Sequence, residues 1–378
     1  MGDSENIRVH SRYTALDGLR GLAALVVLIH HCLLVSPQLV GAIESGGVAP
    51  MDSWVWWATF TPLHLVWAGK EAVYVFFILS GFVLTIPFTG ASRPRWGAYF
   101  PKRMIRIYLP VWASLIFALL MAWTVPRVAS PEFSSWVNLH DEAPNVLVDA
   151  FLLRGAGSLN SPLWSLQWEM LFSLLLPFYV VVAIRMRRTW LLGIVGLFLI
   201  IAVGNVQYAA LPVFLPMFGV GVLMATRRDV LERWGRKLGP FGWAGLLVAS
   251  LILLCSHWLF PQLPVFIATA SIGGALLIFA FIAWSPTIAI GNNSVVHWLG
   301  IRSFSLYLVH EPIVVSVAFL LHATNPLYVA LIAFPLSLLA AEVFFRLVER
   351  PSQRLAGGAG QVVTDRMRSA KAAAVARR

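Results

Sequence analysis

The sequence predicts an all-α fold, a polytopic integral membrane bundle of about ten transmembrane helices. Three observations carry that expectation. Of the 378 residues, 59% are hydrophobic and only 12% charged, whereas a soluble domain carries about 25% charged residues to wet its surface. The mean hydropathy is +0.78. Apolar stretches near the roughly 20 residues that cross a ~30 Å hydrocarbon core recur from one end to the other. The 16 Trp and 24 Phe suit lipid-facing helices and interfacial belts.

Ten such runs lie at roughly 20–39, 71–88, 107–125, 162–184, 190–206, 211–225, 240–260, 264–284, 303–322 and 325–345. The first is read as a helix rather than a cleaved leader, because no small-residue cleavage site follows it and further apolar runs do. The runs 190–206 and 211–225 are short and closely spaced. Segment 351–378 is rich in Gly, Ala and Arg and is expected to be a disordered basic cytoplasmic tail behind a transmembrane domain over 1–350. No internal repeat and no appended soluble domain is evident. Cys32 and Cys255 sit inside apolar runs and read as small buried hydrophobes, with no disulfide framework.

A net charge of +11 raises the question of nucleic acid, but the arrangement argues against it. Arg outnumbers Lys 24 to 4, a bias expected of a GC-rich genome. The basic residues do not interleave with aromatics as in single-strand binders; they sit between apolar runs and set topology. With the N-terminus inside, 25 of the 28 Lys and Arg fall on the cytoplasmic side, and only Lys70, Arg127 and Arg154 fall outside. Both termini are therefore expected in the cytoplasm of a multi-pass protein of the bacterial cytoplasmic membrane. The longest outside loop, about 126–161, also carries Glu132, Asp141, Glu142 and Asp149.

An ionisable group inside a membrane helix is costly unless paired or hydrated, so each one is a functional candidate. In the first run Arg20 and His31 are eleven residues apart. That is three turns plus about 20°, so both project from one face, separated by about 16 Å of rise. Arg20 then lies near the cytoplasmic interface and His31 near mid-membrane, and Asp17, one turn before Arg20, can hold its guanidinium. A buried neutral imidazole suits general-base work on a hydroxyl, and an Arg at the mouth suits an anionic ligand. The same spacing also fits a His that makes one helix–helix hydrogen bond, with Arg20 as an interfacial anchor.

Six stretches settle between those readings by resemblance. Leu16-Asp17-Gly18-Leu19-Arg20 through Ile29-His30-His31 resembles the opening of the acyltransferase-3 family, membrane enzymes that O-acylate sugars and other hydroxyl compounds; its signature is an Arg, ten residues, then the catalytic His, which selects His31 over His30. Phe76-Phe77-Ile78-Leu79-Ser80-Gly81-Phe82 is similar to that family's FFxLSGF helix, and Arg103-Met104-Ile105-Arg106-Ile107-Tyr108-Leu109-Pro110 to its RxxRIxP segment. Trp164-Ser165-Leu166-Gln167-Trp168-Glu169 resembles WSLxxE, Ser305-Leu306-Tyr307-Leu308-Val309-His310 resembles SLYLxH, and Glu349-Arg350-Pro351 resembles the closing ErP. One departure is Lys70-Glu71, where the family commonly has an acidic turn after Gly. His30 is outside the pattern and reads as structural.

The resemblance implies a membrane O-acyltransferase that moves an acyl group, with acetyl-CoA the expected donor, from the cytoplasmic side to a hydroxyl of a carbohydrate, glycolipid or secondary metabolite. It places His31 as general base, with Glu169 and His310 as further catalytic candidates and Arg20 on the donor's anionic part. Arg103 and Arg106, three residues apart on one helix face, are expected to grip the CoA phosphates; Lys102 reads only as a positive-inside residue. Asp17, Ser80 and Trp164 are read as structural support, with Ser80-Gly81 allowing close helix approach. Glu311 and Glu342 are read as packing or interfacial acids. No motif supports a metal or a dinucleotide, and no permanently bound cofactor is expected. The competing expectation is a proton-coupled transporter with His31, Glu169 and His310 as a relay, which would call for repeats and broken helices that the sequence lacks.

Overall fold

The computed structural model describes residues 2–46, 49–90, 96–142, 144–153 and 157–376, with side chains from 14 to 363. Among these residues there is no strand, and each of the ten apolar runs contains a long helix. We label these helices α1 (Gly2–Leu33), α2 (Gly69–Thr85), α3 (Trp96–Thr124), α4 (Leu163–Arg185), α5 (Trp190–Val206), α6 (Ala210–Thr226), α7 (Pro240–Leu254), α8 (Phe266–Ala283), α9 (Ser294–Leu321) and α10 (Pro326–Phe344). A π turn, Phe345–Glu349, leads into α11 (Arg350–Ala376).

Several ends differ from the sequence expectation for local reasons. The first run breaks at Ser36-Pro37: proline cannot continue α1, and Ser36 caps a new short helix, Pro37–Glu44, by accepting from the Leu39 amide. The run at 240–260 stops at Leu254 and restarts as Ser256–Leu259. Seven helices among the described residues are long and apolar enough to cross a bilayer, and an eighth is counted if α6 and Arg228–Gly235, bent by 73° at their junction, form one span. Helices α5 and α7, with 17 and 15 residues, fall short of that length. The segment expected to be a disordered tail is instead helical: Pro326–Val363 runs as one helix of 38 residues, and Gly360 lies against the Lys102 side chain on α3.

Close backbone contacts set the register. α1 and α9 run side by side and parallel, with Gly21 facing Gly300: a Cβ on Gly21 would sit 2.5 Å from the Gly300 nitrogen. Gly300 in turn lies on the Asp17 carbonyl, and Gly18 on Gly291. Gly81 on α2 rests on the Phe218 carbonyl of α6, and Gly221 on that of Ile78, the close approach that small residues permit in apolar surroundings. One apolar core surrounds α2, α6 and α8, and a second surrounds α1, α3 and α9. The outer faces of α3, α4, α5, α7 and α10 leave large apolar side chains exposed, among them Ile116, Phe178, Leu192, Phe241 and Leu331. Such area is costly in water and suits hydrocarbon. The multi-pass membrane character follows from these helices and faces.

Two loops fold over the end of the bundle where α1 and α9 stop. The Ser134 hydroxyl donates to the Leu34 carbonyl at 2.7 Å, and the Ser135 hydroxyl to Glu44 at 2.6 Å. The Asn160 amide donates to the Leu308 carbonyl at 2.9 Å, tying the α3–α4 connection to α9.

Candidate active site

The parallel pairing of α1 and α9 brings His31 to His310, 279 positions away, with His310 Nε2 3.1 Å from His31 Nδ1. The next residue on α9, Glu311, carries the centre of the site. Its Oε2 lies 3.1 Å from His31 Nε2 and its Oε1 3.1 Å from His140 Nε2. Ser161, just before α4, donates its amide to one carboxylate oxygen and its hydroxyl to the other. Glu311 is fully buried, His310 and His140 nearly so. A buried carboxylate is tolerable only when its lone pairs are met, and here the two Ser161 donors and two imidazole nitrogens converge on its two oxygens.

The backbone orients the imidazoles. His31, His140 and His310 each turn Nδ1 to the carbonyl four residues back, Val27, Trp136 and Leu306, at 2.9 Å. A carbonyl only accepts, so Nδ1 carries a hydrogen in each ring and Nε2 is the nitrogen that exchanges protons. For His31 and His140, that nitrogen faces Glu311. Trp136 packs between them, its ring centroid 5.5 Å from His31 and 5.0 Å from His140.

On the side of Arg20, a cavity of about 290 Å³ enters between α1, α2, α3, α4 and α9. Arg20, Arg103, Arg106, Ser80 and Glu169 line it, and Tyr307 and Ser165 form part of its wall. The Tyr307 hydroxyl donates to the Pro162 carbonyl at 2.9 Å and lies 2.7 Å from the Ser165 hydroxyl. The Tyr307 ring centroid stands 6.0 Å from that of His310. One aromatic ring therefore separates the arginine-lined cavity from the histidine cluster.

Site residues expected from sequence fall into two groups. His31 and His310 meet, and Glu311 and His140 join them. Glu169 does not: Arg103 donates to it and to Ser173, the latter at 2.9 Å, and Ser80 donates to it at 3.4 Å. The carboxylate thus neutralises an arginine in the cavity wall instead of orienting an imidazole. Arg106 faces the cavity and makes no hydrogen bond or ion pair with the described residues. Asp17 lies 3.9 Å from Arg20, as one helical turn allows. Trp164 packs on Phe77 and Phe214. His30 bonds the Trp67 carbonyl at 2.9 Å and stacks on that indole. Glu342 sits between Arg302 and Arg346.

Glu311, read from sequence as a packing or interfacial acid, is the buried hub of the cluster. The signal for it was present, since an acid inside an apolar helix calls for a partner. His140 carried no such signal, because its loop has no periodicity to place it.

Comparison with known proteins identifies the family. The profile of acyltransferase family 3, described as an acyltransferase domain, matches residues 13–346. The chain is 25% identical to the acyltransferase MdmB of Streptomyces mycarofaciens, over 93% of this chain and 95% of that protein. It is 26% identical to the O-acetyltransferase PaAT-1 of Phomopsis amygdali, over 84% of this chain and 74% of that one. It is 22% identical to the O-acetyltransferase OatA of Staphylococcus aureus, over 90% of this chain and 57% of that one. No solved structure matches the chain. With nearly the whole bundle inside the match, the chain belongs to acyltransferase family 3 and is a membrane enzyme that transfers acyl groups.

Proposed function

We propose that the chain takes an acetyl group from acetyl-CoA at the cytoplasmic, arginine-lined cavity and passes it to a hydroxyl of a carbohydrate, glycolipid or small-molecule acceptor. The observation that carries this reading is the buried His31–Glu311–His140 cluster, one tyrosine ring away from that cavity. A cavity of about 290 Å³ suits the thioester arm of CoA better than the whole molecule, which leaves the phosphates at the mouth with Arg20 and Arg106. Arg103, held by Glu169, shapes the wall.

In this mechanism an acceptor hydroxyl approaches the His31–Glu311 pair. Its oxygen attacks the thioester carbonyl, and its proton passes to the pair, whose carboxylate lies on the same imidazole nitrogen, Nε2, and balances the charge that forms. Collapse of the tetrahedral intermediate forms the ester C–O bond and breaks the C–S bond; the proton then goes to the departing thiolate, releasing CoA as thiol. His310 and His140 hold the proton-exchanging atoms in line. The topology that fits has all ten apolar helices in the bilayer of a bacterial cytoplasmic membrane and both termini inside, supported by the 25 of 28 basic residues on that side.

Purified protein in lipid vesicles, given radiolabelled acetyl-CoA and an extract of cells lacking the gene, should move label into an alkali-labile ester. No ester, together with solute uptake driven by a proton gradient, would support a transporter instead.

A further inference from the structure

Beside the histidine cluster, away from the arginine-lined cavity, lies a second cavity of about 220 Å³. Its lining includes Arg127, His140, Asp141, Glu142 and Ser158, with Leu119 and Ala122 of α3 as an apolar floor. Arg127 follows the end of α3 and is partly buried; its Nε and Nη2 are shielded from solvent and have no hydrogen-bond partner. Burial draws this guanidinium below the usual arginine range, and the charge of Glu311 opposes that shift. A shielded N–H left without an acceptor is costly, so these groups await one. On the same cavity the Asp141 and Glu142 carboxylates are exposed and make no hydrogen bond or ion pair with the described residues. Only water meets them there, and a ligand's hydroxyls can take its place.

Shielded, unpartnered donors beside two hydrated carboxylates in one small space select the ligand. A phosphate or carboxylate would satisfy Arg127 but meet two like charges and give them no proton. A hydroxyl both donates and accepts. Neighbouring hydroxyls on one ring can accept from Arg127 while donating to Asp141 and Glu142, and the ring's C–H face fits Leu119 and Ala122. We propose that this cavity is the acceptor subsite and that it binds a neutral polyol, a sugar ring presenting vicinal hydroxyls, with Arg127 as a specificity-determining residue. The inference rests on the O-acyltransferase reading and names its acceptor class. The bound hydroxyls lie beside His140, whose Nε2 is 3.1 Å from Glu311, which in turn holds His31.

Two measurements on the full chain in vesicles test it. In the first, the extract of cells lacking the gene is titrated against labelled acetyl-CoA. Arg127→Gln should raise the half-saturating amount of extract roughly ten- to a hundredfold and shift the KM for acetyl-CoA little, and Arg127→Lys should recover part of the loss. Periodate, which cleaves vicinal diols, should destroy the extract's acceptor activity, and phosphatase should not. Loss on phosphatase with survival of periodate would overturn the polyol in favour of an anion. An equal rise in both half-saturation values would overturn the role of Arg127. The second needs no donor chemistry. Cys32 and Cys255 are buried, so Ala122→Cys offers one thiol in the cavity, and intact extract should slow its reaction with a maleimide where periodate-treated extract does not. Protection without ester formation would sink the acetyl-CoA reading and keep the polyol site. No protection by either extract would overturn the site itself.

Discussion

At the residue scale, the difference between His30 and His31 is what their nitrogens face. His30 bonds a carbonyl and stacks on Trp67, whereas His31 offers Nε2 to Glu311. His31→Ala and Glu311→Gln should each lower transfer by about 10²–10⁴-fold while the protein still inserts, whereas His30→Ala should keep substantial activity. Label-transfer rates on purified variants decide this, and equal loss at His30 and His31 would refute the assignment. Another histidine bears on stability through its burial. His64, on the loop between α1 and α2, lies 4.2 Å from the Trp258 ring centroid and 4.3 Å from that of Trp67. Burial, with help from His257 and Lys70, pulls its imidazole from 6.5 down to about 3. The unfolded chain thus binds this proton between about pH 6.5 and 3 while the folded chain does not, so stability is full above that window and falls as pH drops through it. Thermal unfolding at pH 7.5 and 5 should show a smaller acid loss for His64→Phe, which keeps the stacking, than for the native protein; equal losses would exclude His64 as a cause.

At the element scale, α3 assigns different work to two arginines that look alike in sequence. They share a face, three residues apart, but Arg103 meets Glu169 on α4 and Arg106 is left to the cavity. Arg106→Ala should therefore raise the KM for acetyl-CoA about tenfold or more, the value of a charged hydrogen bond. It should change far less the slow rate with acetyl-N-acetylcysteamine, a thioester without phosphates. Arg103→Ala should depress both rates, because it strands Glu169 in the wall. If the Arg106 variant lost both rates equally, a phosphate contact there would be untenable. The pairing of α1 with α9 is a comparable case: Gly21 on Gly300 permits the approach, and the shared offset carries His31 to His310 ten residues further on.

At the scale of the whole molecule, the distribution of charge predicts the orientation of the bundle. Reporter fusions after residue 140 should read as external, and those after residues 95, 230 and 378 as cytoplasmic. A reporter near Gln207 is the sharpest probe, because it stands between α5 and α6, and α5 has only 17 residues. At about 1.5 Å per residue such a helix spans roughly 26 Å, a little under the ~30 Å hydrocarbon thickness. An external reading at Gln207 would support a full crossing by α5 with local thinning of the bilayer; a cytoplasmic reading there would remove the α5–α6 pair from the membrane count.

Sequence by itself determined that the chain is helical and apolar, roughly where each of the ten helices lies, and that His31, His310 and the arginines are the candidates for the site. Helical period, apolar length and charge between runs are local properties, shared by residues a few positions apart, so they survive without knowledge of the fold. Even the helix end at Ser36-Pro37 belonged to that local class, although hydrophobicity alone ran past it. Tertiary structure decided what each charged group faces. Glu169 and Arg103 are 66 positions apart, His140 and Glu311 171, and no periodic rule connects such pairs. Their partners were chosen by glycine-mediated helix approach and by a loop closing over the bundle, where a buried carboxylate must find its donors or lose the energy of hydration uncompensated.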